Sequence, residues 1–145
     1  MSKTETGKPG RLVQIKGVDH IVLRTDSVPA MMHFYCEVLG CVEERRLQDF
    51  GLIQLRAGSA LIDLVDIEGK LGKAGGGKPQ QQGRNLEHFC LLLGAVNESE
   101  LRQYLEQHGI ATEDFAERYG ATGYGNSIYI QDPQGNNVEL KLDNA

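Results

Sequence analysis

No run of like charge stands out anywhere in this 145-residue chain, whose 15 lysines and arginines against 20 acidic residues leave a formal net charge of −5. Binding nucleic acid takes a basic stripe that neutralises phosphates, so that class of partner is excluded. Nor does any apolar stretch approach the roughly 18 to 20 residues that a membrane-spanning helix requires, so no such helix and no membrane partner is expected. Cysteine is scarce. Cys36, Cys41 and Cys90 are odd in number, lack paired spacing and sit within apolar segments, the pattern of reduced, packed thiols in a cytoplasmic protein. The opening MSKTETGKPGR has no apolar core of a signal peptide, so positions 1–15 are expected to be a disordered tail.

What the chain does contain is an internal repeat. One unit runs over 16–67 and a second over 86–145, joined by EGKLGKAGGGKPQQQGRN, a Gly-, Lys- and Gln-rich linker or loop at 68–85. Each unit opens on a strand with a histidine at its mouth, VDHIVL in the first and LEHFCL in the second. A helix follows in each. Ser27 and Pro29 begin the first and Gly40 ends it, while Asn97 and Glu100 begin the second and Gly109 closes it. The remainder of the first unit reads as three strands, CVEERRLQ, GLIQLRA and SALIDLVDI. In the second, a less regular IATEDFAERYG precedes NSIYIQ, the turn DPQGN and NVELKL, where Pro presets the bend and Gly takes the left-handed position. The expectation is an α+β fold of two tandem βαβββ modules.

Side chains alternate across a strand. His20 therefore shares a face with Val22 and Arg24, Asp63 with Leu61 and Val65, and Glu139 with Asn137 and Lys141, while His88 lies with Cys90 and Leu92. If the opposite, apolar faces cover the helices, each module turns one histidine and one carboxylate towards a concave side. Charged groups among apolar neighbours are costly unless paired or coordinated. Two imidazoles and two carboxylates suit a divalent metal, with Zn or Ni expected and Mn or Fe(II) also accommodated. His33 and His108 read as surface residues and Phe34, Tyr35 and Leu39 as core, while Tyr119 and Tyr124 read as loop residues that would cover a cleft.

On these residues, and on LIDL and YIQDPQGNNVEL, the chain over about 16–142 resembles the vicinal oxygen chelate superfamily, which groups glyoxalase I, fosfomycin-resistance enzymes, extradiol dioxygenases and bleomycin-resistance proteins. The resemblance implies that the modules form one domain with a cupped mixed sheet, in a homodimer that in some members exchanges modules between chains. It implies metal ligation by His20, His88 and Glu139, with Asp63 standing, one methylene shorter, where glyoxalase I carries a glutamate. The ligand pattern is thus most like lactoylglutathione lyase. That likeness implies a lyase or isomerase acting on a 2-oxoaldehyde–thiol adduct through a metal-stabilised enediolate, with Glu139 and Asp63 as the proton-moving groups. Arg24 resembles the arginine that holds a glutathione carboxylate, and Tyr129 is placed like a dioxygenase tyrosine that meets substrate. Alternatives within the same resemblance are an Fe(II) extradiol dioxygenase, a thiol transferase of fosfomycin-resistance type and a metal-free small-molecule binding protein.

Overall fold

The computed structural model describes residues 12–143; the expected tail falls largely on 1–11, outside the described residues. Positions 12–19 carry no regular structure, and Leu12, Val13, Ile15 and Val18 are exposed there. The first module is β1 (His20–Thr25), α1 (Val28–Met32) continuing as a π-helical turn (His33–Val38), β2 (Val42–Leu47), β3 (Leu52–Ala57) and β4 (Ala60–Asp66). The second is β5 (Phe89–Leu93), α2 (Glu98–Gln107), β6 (Ala116–Gly120), β7 (Gly123–Gln131) and β8 (Asn137–Leu142). Each module closes its own four-stranded mixed sheet, in the orders β1-β4-β3-β2 and β5-β8-β7-β6, with β1–β4 and β5–β8 parallel and the remaining pairs antiparallel. The βαβββ repeat is therefore present in both halves.

The helices depart from expectation in one module only. Asn97 caps α2 as its side chain accepts from Glu100 N at 3.1 Å. Ser27 makes no such bond; its own N–H is taken by Thr25 Oγ1 at 2.9 Å. Beyond Met32 the helix widens, and Leu39 N reaches back five residues to Phe34 O. A widened turn shifts the phase of the side chains, so the adjacent Phe34 and Tyr35 are both buried. The segment expected as a covering loop is instead the β6–β7 hairpin. Tyr119 and Tyr124 are register partners on it, exposed, with ring centroids 5.0 Å apart.

One core serves both modules. Leu23, Met31, Tyr35, Ile62 and Leu64 pack with Leu101, Leu105, Ile128, Val138 and Leu140 in a single apolar cluster. Each such side chain contributes about 1.5–3 kcal/mol on full burial. Polar bonds cross the same junction: Tyr35 Oη donates to Asp132 Oδ2 at 2.6 Å, Thr25 Oγ1 to Gln134 Oε1 at 2.7 Å, and Tyr104 Oη to Val38 O at 2.7 Å. The modules meet through their helix-bearing sides, and the opposite sheet faces remain open, with Val22 and Leu92 exposed on them. Among the described residues no helix is long and apolar enough to cross a membrane.

Candidate functional site

The open face of each sheet carries the same arrangement. In the first, Asp63 stands opposite Val22, two residues beyond His20, and on its other side opposite Gln54. In the second, Glu139 stands opposite Cys90, two residues beyond His88, and opposite Tyr129. The registers follow from parallel pairing of each module's first and last strands, with hairpins fixing the third strand. Both carboxylates are buried, Asp63 at 4% and Glu139 at 7% exposure.

The imidazoles are oriented alike. His20 Nδ1 lies 2.6 Å from Asp19 Oδ1, and His88 Nδ1 lies 2.5 Å from Glu87 Oε1. A carboxylate on Nδ1 holds the proton there and turns Nε2 outward as a donor atom, the arrangement that ligating histidines use. The hydrogen bond to Asp19 also raises the pKa of His20, with burial opposing it and the charge of Asp63 adding to the rise.

His88 Nε2 lies 3.2 Å from Glu139 Oε1 and 3.5 Å from Tyr129 Oη. An imidazole nitrogen and a carboxylate oxygen are both donor types that divalent metals take, so this pair supplies two of the donors such an ion would need. Burial first, and then the charge of Glu139, raises the Tyr129 pKa, so this phenol stays a neutral hydrogen-bond donor. Its ring meets His88 edge to face at a centroid distance of 5.1 Å. In the first module, Gln54 Nε2 donates to both oxygens of Asp63, at 3.2 and 3.3 Å.

The structure brings His88, Glu139 and Tyr129 together, and places His20 near Asp63 on the other sheet. It does not bring the two pairs together within one chain: among the described residues no three His, Cys, Asp or Glu side chains lie close enough to share an ion. A concavity of about 820 Å³ lies at the module junction beside His33, His108 and Asp132, away from His20 and His88.

Arg24 is on β1, but its guanidinium is already engaged. Nε donates to Gly72 O at 3.0 Å, Nη1 to Gly77 O at 2.9 Å and Nη2 to Gly76 O at 2.6 Å, which ties down the 68–85 segment. Sequence reasoning did not single out Gln54, Asp19 and Glu87, which bond to Asp63, His20 and His88. Two-residue turns join β3 to β4 and β6 to β7, so counting back from each turn would have set Gln54 opposite Asp63 and Arg118 opposite Gly125.

Known proteins of the same fold match this chain along most of its length. The family model of the Glyoxalase/Bleomycin resistance protein/Dioxygenase superfamily matches residues 17–140. Virulence protein STM3117 of Salmonella typhimurium is 27% identical over 131 residues, covering 87% of this chain and 83% of that protein. The integron cassette protein VCH_CASS1 from the mobile metagenome of V. cholerae superposes with a TM-score of 0.68 at 27% identity, over 91% of this chain and 98% of its own. A lactoylglutathione lyase from Agrobacterium tumefaciens superposes with a TM-score of 0.58 at 20% identity, over 88% of this chain and 94% of its own, a likeness of fold alone.

Proposed function

Since the chain belongs to the Glyoxalase/Bleomycin resistance protein/Dioxygenase superfamily, we propose that it is a metal-dependent lyase or isomerase of glyoxalase I type, acting on a small substrate with two adjacent oxygens. The superfamily includes many enzymes, commonly with a divalent metal and commonly dimeric. The observation that carries the reading is the matched placement, on both open sheet faces, of a buried carboxylate on the strand opposite the residue two beyond an outward-turned histidine.

Each chain offers two half-sites, so we infer that a homodimer completes them by exchanging modules. His20 and Asp63 of one chain then join His88 and Glu139 of the other. Exposed Val22 and Leu92 flank these groups, and burying them against a second copy would exclude water from the site. A divalent ion held there, Zn or Ni by donor type, supplies Lewis-acid polarisation of the two substrate oxygens. Glu139 accepts the proton from one carbon and returns it to the neighbouring carbon, so the step is a net isomerisation needing no outside oxidant. Asp63 serves the opposite side, with Gln54 holding its carboxylate in place. The Tyr129 phenol donates to Glu139 and steadies it between the two transfers. His20 and His88 hold the ion and take no part in moving the proton. Three unpaired cysteines accord with a cytoplasmic location.

The test is turnover of a 2-oxoaldehyde–thiol adduct by the Zn- or Ni-loaded protein. Removing a general base typically costs 10²- to 10⁴-fold, so Glu139→Gln should lose about that much in kcat while still binding metal. Equal turnover by the two proteins would overturn the assignment.

A further inference from the structure

The two modules match in the layer that carries the histidines and carboxylates, and differ in the layer beside it. In the first module the residues next to Asp63 and Gln54 on that face are Val65 and Leu52, a register pair. Their counterparts beside Glu139 and Tyr129 are Lys141 and Ser127. An apolar pair fills the layer in one module, so packing does not require charge in the other.

Lys141 is only 4% exposed. Its ammonium donates to Thr122 Oγ1 at 3.0 Å and to Gly123 O, both uncharged acceptors. The chain beneath it is glycine: a Cβ on Gly125 would stand 2.9 Å from Lys141 Cε, and one on Gly120 would stand 3.3 Å from Nζ. Arg118 reaches into the same layer. Its Nη1 donates to Ser127 O at 2.7 Å and Ser127 Oγ at 2.9 Å, and its guanidinium lies 4.6 Å from the centre of the Tyr129 ring. Among the described residues no carboxylate lies within 4.0 Å of either cation, whereas Arg46 and Arg56 of the first module pair with Glu43 and Glu44. Keeping a buried cation without a counter-charge is costly. The cost is explained if a ligand brings the missing anion.

We propose that Arg118 and Lys141 form an oxyanion subsite beside Glu139, so that the substrate carries a carboxylate or phosphoryl group. The proposal rests on the reading of this face as the active site. Arg118, with one nitrogen committed to Ser127, directs the rest of its fork at the anion, and Tyr129 lines the approach. Lys141 acts from beneath through its charge.

The test is calorimetric titration of the full-length, metal-free protein with inorganic phosphate, with acetate, and with acetamide as the neutral control. Phosphate or acetate should bind, acetamide should not, and whichever anion binds more tightly names the substrate group. Arg118→Gln and the near-isosteric Lys141→Met should each weaken that binding at least tenfold, with circular dichroism confirming the fold. Glu139→Gln should retain it or strengthen it. No saturable anion binding by the natural protein, or binding unchanged in Arg118→Gln, would overturn the subsite. Anion binding without 2-oxoaldehyde turnover would remove the glyoxalase reading and leave the subsite standing; turnover without anion binding would do the reverse.

Discussion

Tyr35 Oη donates to Asp132 Oδ2 at 2.6 Å across the junction of the two modules, and both side chains are buried. Asp132 also accepts from Gln134 N, Asn136 N and Asn136 Nδ2, so one carboxylate organises the β7–β8 turn and fastens it to the first module. Tyr35→Phe keeps the ring and removes the bond. A hydrogen bond to a charged group contributes about 1.5–3 kcal/mol, and a loss of that order is expected in urea denaturation. An unchanged midpoint would show that the junction does not depend on this pair.

The same tyrosine predicts how stability responds to alkali. Burial, reinforced by the charge of Asp132, raises the Tyr35 pKa, and burial pushes the Cys41 thiol up to about 11. Groups whose pKa is raised on folding contribute stability below their unfolded value and lose it as pH rises through the folded one. The unfolded chain therefore releases both protons first, and the urea midpoint should fall between pH 9 and 11. The fall should be shallower in Tyr35→Phe than in the natural protein.

A site shared between chains can be tested by mixing two inactive proteins. His20→Ala and His88→Ala each damage every site of their own homodimer. In a mixed dimer with exchanged modules, one site carries both lesions and the other carries none. Co-refolding equal amounts should restore about a quarter of the natural activity and metal content, since about half the dimers are mixed. No recovery in a verified mixed dimer would place each site within a single chain.

Arg24 and Gly75 should prove to be one structural unit. A Cβ on Gly75 would lie 2.3 Å from Arg24 Nε, where the guanidinium sits under its three carbonyl acceptors. Gly75→Ala and Arg24→Ala should therefore both release the 72–77 backbone. Limited proteolysis should cut this segment faster in each variant, with little further gain in the double variant. Full additivity would argue that the two residues act separately.

Much of the architecture is legible in the residues. The His20 and His88 strands, the Asn97 cap and the DPQGN turn are local patterns, and each reappears in place because alternation and turn chemistry are short-range. The widened turn after Met32 is not legible in this way. It is set by the need to bury Phe34 and Tyr35 side by side against strands of both modules, a long-range packing demand that helix spacing does not record. Arg24 is similar: its place on the histidine's face follows from alternation, but its partners are carbonyls about fifty residues away.

By itself, then, the sequence determined the two βαβββ units and which side chains share a face with each histidine, because strand alternation is a property of neighbouring residues. The tertiary structure decided which faces are buried. By joining the helix-bearing sides in one core it left the two histidine-bearing faces open, brought Arg118 and Lys141 to the Glu139 face of the second sheet, and kept the two histidine–carboxylate pairs apart within a chain. Those outcomes depend on how whole sheets pack, which is a property of surfaces and not of any stretch of residues.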